Sequence, residues 1–187
     1  MKLMNPRTAT PDHSVMPTSI ETCALRPWAL ADKSDLVRNA NNRKIWRNLT
    51  ESFPHPYTEA DADHWFSIVS QAGRDIHLAI EFRGSAVGGI GAIAGEGVFR
   101  RTCQFGYWLG EPYWGKGIAT AAARAFARHL QDEQLFARLE APVFQWNPAS
   151  MRVLEKVGFV REGLLRKSIT KDNQLIDSVM YAYLAAV

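Results

Sequence analysis

Cysteine is scarce in this chain: 187 residues carry only two, Cys23 and Cys103. Both lie in apolar, strand-like runs, which reads as buried, reduced thiols of a cytoplasmic protein rather than a disulfide. Long hydrophobic runs are missing as well. No stretch approaches the roughly 18 apolar residues of a membrane span, so no membrane partner is expected. The opening "MKLMNPRTATPDHSVMPTS" has no continuous apolar segment of the signal-peptide kind. Charge of one sign is barely in excess, at net +3 with 22% charged residues. That suits a small polyanion and is too weak to argue for nucleic acid. The five histidines show no metal-ligand spacing, so no metal is expected, and His64, His77 and His129 read as surface or packing residues.

What the chain does have is length and apolar content for one domain with a sizeable core, 47% of its residues being hydrophobic. Residues 1–19, with three prolines among small polar residues, read as a disordered lead, and residues 20–187 as the domain. "IETCALRPW" begins it as a strand ended by Pro27. Helical spacing from about Leu30 to Asn48 breaks near Asn41–Asn42 into two short helices, and "NLTESFPHPY" is a loop. Thr58 is a good N-cap, with Glu59 and Asp61 in the first turn. The helix it opens is expected to bury Trp65, Ile68 and Val69 and to stop at Gly73.

Ile76, Leu78, Ile80 and Phe82 then alternate with less apolar partners, the period of a strand. "RGS" is a tight turn returning antiparallel through "AVGGIGAI", and "TCQFGYWLG" completes a meander, its Gly106 expected to mark a bulge. A helix follows to about Gln131, with Ile118, Ala122, Phe126 and Leu130 at four-residue spacing. "LFARLEAPVF" is a strand. Asn147 caps the next helix, with Pro148 at its first position and Gly158 at its end. Two strands, about Phe159–Ile169 and Leu175–Leu184, join through "KDNQ". The order implies a mixed α/β (α+β) domain, a mostly antiparallel twisted sheet of about seven strands flanked by helices.

Glycine patterns carry the chemistry, and two of them fail. Gly89-x-Gly91-x-x-Ala94 matches a dinucleotide fingerprint but opens no helix. "GEPYWGKG" nearly matches a nucleoside-triphosphate loop, yet Gly117 stands where Ser or Thr should hold Mg²⁺. There remains "WGKGIAT" between a strand and a good helix. A helix N-terminus has four unpaired N–H groups and about half a positive charge. Without β-carbons at Gly115 and Gly117 an anion can approach those amides, with the charge of Lys116 beside them.

Together, "FPHPYTEADADHWF", "GYWLGEPYWGKGIATAA" and "NPASMRVLEKVGF" resemble, in that order, the GNAT superfamily of acyl-CoA-dependent N-acyltransferases. The likeness covers roughly residues 20 to 184 and is greatest to the branch of bacterial ribosomal-protein N-terminal acetyltransferases. It implies a single GNAT-like domain with acetyl-CoA as co-substrate. Acetyl would pass directly to a primary amine in a ternary complex, the acceptor being a protein N-terminus ahead of a small-molecule amine. The other reading is a non-catalytic acyl-CoA-binding regulatory module. A homodimer through the exposed edges of the final strands is in keeping with the branch.

The resemblance also places residues. The family's Q/R-x-x-G-x-G/A pyrophosphate signature falls on Trp114, Gly115, Lys116, Gly117, Ile118 and Ala119, with Thr120 next in the same turn; Trp114 departs from the usual Gln or Arg. The backbone of Tyr107, Trp108 and Leu109 would pair with pantetheine, and Asn147 would hydrogen-bond it. Direct attack of a neutral amine on the thioester needs a proton acceptor and stabilisation of the departing thiolate. The Tyr that many members place seven residues after the Asn is here Leu154. Ser150 is the polar group left on that turn and matches a serine of the ribosomal-protein branch, as donor to the sulfur. Gln104 stands where related enzymes often carry a basic Glu. That leaves Glu51 and His55 as candidate bases, with Tyr107 as a relay through water, and Tyr57, Trp65 and Phe66 as pocket wall.

Overall fold

The computed structural model describes residues 15–71, 73–133 and 135–185. Its sheet has eight strands in the order β1-β2-β3-β4-β5-β6-β8-β7. The strands are β1 (Met16–Pro17), β2 (Cys23–Pro27), β3 (Ile76–Phe82), β4 (Ser85–Ala94), β5 (Thr102–Leu109), β6 (Arg138–Phe144), β7 (Val160–Lys171) and β8 (Gln174–Leu184). The helices are α1 (Lys33–Ala40), α2 (Arg43–Trp46), α3 (Glu59–Ser70), α4 (Ile118–Asp132) and α5 (Pro148–Val157). The strand beyond the seven expected is β1, whose Met16 and Pro17 pair with Leu25 and Ala24. The ordered chain therefore reaches into the predicted lead. Residues 1–14 of that lead lie outside the described residues.

Local chemistry sets the turns. Phe82 pairs directly with Ser85 across Arg83 and Gly84, both at positive φ, the two-residue hairpin that matches strand twist. Asp172 and Asn173 do the same between β7 and β8. Thr58 and Asp61 form a reciprocal capping box at the start of α3, as the sequence leads one to expect.

Two apolar layers sandwich the sheet. One packs α4 and α5 on it through residues such as Phe126, Leu130 and Leu154, against Phe105, Leu139 and Tyr181. The other packs α1 and α3 on the opposite face through Leu36, Ala40, Tyr57 and Ala62, with Trp28, Phe53, Trp65, Phe66 and Trp108 around them. In α3 the buried face runs through Ala62, Trp65 and Phe66. Ile68, expected inside, is 41% exposed because it sits at the margin of that face, beside the open cleft described next.

β5 and β6 form the only parallel pair among the described strands, and it lasts just from Thr102↔Arg138 to Gln104↔Glu140. Beyond it β5 runs on to Leu109 with only β4 beside it, and β6 runs on to Phe144 with only β8. The strands fork. Pro142, which has no N–H for a ladder, lies on the parted stretch of β6. Gly106 is not a bulge: β4 and β5 pair without a shift from Gly88↔Leu109 to Ala94↔Cys103. The opening comes from the parting of β5 and β6, and Gly106 leaves bare backbone at its edge.

Candidate active site

The fork opens into a cleft of about 1270 Å³ that collects residues from nearly every element. Its two sides are built differently.

One side is the turn from β5 into α4. Gly115 and Gly117 both adopt left-handed backbone, φ 74° and 79°, and a β-carbon on either would meet nothing within 4 Å. Their conformation demands glycine, and the space it leaves is open. Gly117 is the N-cap of α4, with no side-chain cap and no acid in the first turn. In α3, by contrast, Thr58 and Asp61 satisfy the first amides internally. The amides of Ile118, Ala119 and Thr120 are thus left for an external anion. Ile118 offers only its N–H, since its side chain is core. Lys116 lies with its ammonium 5.6 Å from the Tyr113 ring. The Trp114 indole donates to the Leu109 carbonyl at 2.6 Å and so pins the loop to the end of β5.

Below this turn, Asn147 caps α5 by accepting from the Ser150 amide at 3.2 Å through Oδ1, which leaves its NH₂ free. Tyr107 points to the same place: its hydroxyl and Ser150 Oγ are 2.8 Å apart. Burial pushes the Tyr107 phenol up to about 12, the hydrogen bond with Ser150 offsetting part of that. Leu154 is fully buried, and the hydroxyls at this point of the cleft are those of Ser150 and Tyr107, in direct contact; Tyr107, expected as a relay toward the base, is thus engaged on the Ser150 side.

The other side is formed by the chain from Lys44 to Tyr57, by α3 and by the end of β7. Phe53 stacks against Tyr57 and Trp108, with ring centroids 5.1 Å and 5.6 Å away. The Trp108 side chain therefore belongs to this wall, and only its backbone faces the fork. Gly91 pairs with Gly106 on one side and with His77 on the other, leaving a floor without side chains. His77 lines the cleft, stacks on Trp65 at 5.0 Å and is held below the ordinary imidazole value by burial. Alternation with the buried Ile76 and Leu78 was the signal that put His77 on this face. His55 stacks on Trp46 at 5.9 Å and is not among the cleft-lining residues. Gln104 lies at the crotch of the fork. Glu51 reaches the rim, 69% exposed, with Oε1 3.3 Å from the ammonium of Lys171. Lys171 lines the cleft and was read from sequence only as part of a polar turn; nothing in its neighbours announced burial.

A strand edge bared by a fork, an uncapped helix N-terminus and paired hydroxyls line one cleft. The family model described as acetyltransferase (GNAT) domain matches residues 23–160, and the chain belongs to that family of acetyltransferases, whose co-substrate is acetyl-CoA. Cys23 and Cys103, outside the cleft, are free and buried, and burial pushes the Cys103 thiol up to about 12, which excludes a thiolate role.

Among its relatives is a "Probable N-acetyltransferase", YjcK of Bacillus subtilis (strain 168), 44% identical over 69 residues, 37% of this chain and 38% of YjcK. The [ribosomal protein uS5]-alanine N-acetyltransferase of Escherichia coli (strain K12) is 32% identical over 80 residues, 43% of this chain and 41% of that protein. The aligned stretches thus span less than half of each of these curated relatives. Over most of the chain, the structure of Mycobacterium smegmatis RimJ in complex with CoA-disulfide superimposes with a TM-score of 0.79 at 27% identity, covering 92% of this chain and 86% of that one. No helix of the described residues is long and apolar enough to cross a membrane.

Proposed function

We propose that the protein transfers acetyl from acetyl-CoA directly to a primary amine, with a protein N-terminus as acceptor ahead of a small molecule. The observation that carries this is the fork: Phe105–Leu109 present an unpaired strand edge between the uncapped start of α4 and the Ser150–Tyr107 pair. The amides of Ile118, Ala119 and Thr120, with Lys116, hold the pyrophosphate. The backbone of Tyr107–Leu109 and the free amide of Asn147 hold pantetheine. The co-substrate supplies the activated thioester, and the protein positions it.

The new C–N bond forms as the C–S bond breaks, so charge develops on sulfur. A thiol has an ordinary pKa near 8.5, so its thiolate needs stabilisation by a donor rather than a strong acid. Tyr107 is held protonated by burial; with its hydroxyl donating to Ser150 Oγ, one of the two senses this contact allows, the serine proton is free to point at the sulfur. That pairing supports turnover over bare binding of acyl-CoA. The ammonium proton of the acceptor passes through water to Glu51, since Asp61, the other carboxylate on this wall, is already engaged by the Thr58 N–H at 2.7 Å. A preference for protein N-termini draws on the uS5-alanine and RimJ relatives. A homodimer draws on the outer edge of β7, which exposes Val160, Leu164 and Leu165; sedimentation of the free protein tests it.

A thiol-release assay with acetyl-CoA against a panel of peptides and small amines tests the central reading. Release that depends on an amine, with a matching acetylated product by mass, is expected. Tight acetyl-CoA binding with no release on any amine would leave only the binding module.

A further inference from the structure

Lys171 is the anomaly of the cleft. Its side chain is 1% exposed, it lines the acceptor side, and its ammonium has no hydrogen-bond partner. The Trp46 ring lies 3.8 Å from Nζ, an attraction that neutralises no charge. Glu51 approaches to 3.3 Å without hydrogen-bond alignment and from a mostly exposed position. Burying an ammonium is costly unless it is both paired and hydrogen-bonded, and here three N–H donors lack an acceptor. The neighbouring cations are accounted for: Arg43 pairs with Asp172 and Lys44 with Glu111. Arg47 stacks on Trp146, 4.7 Å from the ring, and has no carboxylate partner among the described residues. Arg47 and Lys171 both line the cleft. Two positive groups, one of them buried and unsatisfied, thus belong to the wall across from the uncapped start of α4.

We infer that Lys171 is the anchor for a carboxylate carried by the acceptor, assisted by Arg47, so that the enzyme selects amines with an acidic group a few bonds away. The inference rests on the acetyltransferase reading. Glu51 is the placeholder: the acceptor carboxylate takes its position at Lys171 and hydrogen-bonds the ammonium, and the released Glu51 is then free to serve the acceptor ammonium. Substrate binding and readiness of the base are coupled through one lysine.

Thiol release at saturating acetyl-CoA, on wild type and Lys171→Met, with two matched acceptor pairs, tests this. Ala-Asp amide against Ala-Asn amide asks for a side-chain carboxylate; alanine against alaninamide asks for an α-carboxylate. Wild type is expected to prefer the acid of one pair by on the order of 10- to 100-fold in kcat/KM, the worth of a hydrogen bond to a charged group. The difference should lie in KM and, because the carboxylate releases Glu51, in kcat as well. Lys171→Met should erase the preference, leaving each acid no better than its amide, and the pair that responds identifies the source of the carboxylate. No preference in either pair, or equal loss on acid and amide, overturns the inference. Should Lys171→Met fail to fold, Lys171→Gln provides the same comparison. Should no amine be turned over, the acetyl-transfer reading falls. Calorimetric binding of Ala-Asp amide to the CoA-saturated protein then decides: dependence on Lys171 upholds the carboxylate site, and no binding removes it.

Discussion

The two sides of the fork differ in how far the chain must travel to build them. The donor side is mainly one strand–turn–helix, from Tyr107 through Thr120, with the start of α5 beside it, and on the proposed function its binding groups are mostly backbone. The acceptor side brings together α2, the loop after it, α3 and the tip of the β7–β8 hairpin. Its outermost tie, Arg43 to Asp172 at 2.6 Å, spans 129 residues of sequence. Exposed pairs of that kind contribute about 0–1 kcal/mol. The donor side is therefore fixed largely by local chain geometry, whereas the outer rim of the acceptor side, beyond its apolar layer, is held by weak contacts that a substrate can rearrange. Substitutions on the first should act on acetyl-CoA affinity; substitutions on the second should act on acceptor choice and proton transfer.

The largest break is expected at Gly117. Valine there cannot rest comfortably at φ 79°, so the loop relaxes and the α4 amides lose their aim. Binding must then restore a left-handed conformation worth roughly 1–2 kcal/mol, and the valine side chain in the open space at Gly117 keeps the phosphate off the amides, forfeiting charged hydrogen bonds of roughly 1.5–3 kcal/mol. Gly117→Val should weaken acetyl-CoA about 100- to 1000-fold by calorimetry, with acceptor selectivity unchanged in whatever turnover remains. Retained micromolar affinity would mean that the phosphates bind elsewhere.

This contrast also explains what could be read in advance. The donor side was legible because its requirements are local: glycine for positive φ, Asn147 before Pro148 for a cap, alternation for β5. The fork was not legible: glycine in mid-strand suggested a bulge at Gly106, while the parting of β5 from β6 is a matter of which strands become neighbours. Tyr107 was placed on the right strand, but its hydrogen bond to Ser150 links residues 43 apart. Lys171 was illegible. A lysine before Asp-Asn reads as a solvated turn, and nothing local announces the Trp46 ring of a distant helix that lies over its ammonium.

Next in size is the proton acceptor. If Glu51 takes the ammonium proton, Glu51→Gln should lower kcat/KM by about 100-fold. His77→Gln should leave it within about 3-fold. The reverse pattern would move the role to His77, which burial keeps neutral at neutral pH and which lies over the glycine floor. His77 also links to stability. Its folded pKa is lowered, so its contribution is present above the ordinary value near 6.5 and is lost as pH falls through the folded value. Wild type should therefore lose more melting temperature below pH 6.5 than His77→Gln does.

Within the donor side, chemistry and binding should separate. Ser150→Ala removes the donor to sulfur and should lower kcat about 10- to 100-fold with little change in acetyl-CoA affinity. Tyr107→Phe removes only the group that orients it and should cost about 3- to 10-fold. Because the Tyr107 phenol is pushed up to about 12, wild type should show no loss of kcat from its ionisation below about pH 11. Equal effects of the two substitutions would make Tyr107 the direct donor and Ser150 its support.

The smallest expected effect tests how completely the donor side is a matter of backbone. Trp114 occupies the position where a polar side chain is usual in the family, yet its indole N–H is spent on the Leu109 carbonyl, and the ring is 44% exposed. Trp114→Gln gives up that hydrogen bond, worth about 1 kcal/mol, and offers an amide in return. If amides and the α4 N-terminus supply the phosphate affinity, the dissociation constant should move less than about 3-fold while the melting temperature falls by a few degrees. A large gain in affinity would show that a side chain at this position matters after all. Trp114 would then be a substitution that trades cofactor grip for a loop pinned to β5, and the line between a backbone side and a side-chain side would have to be redrawn at that residue.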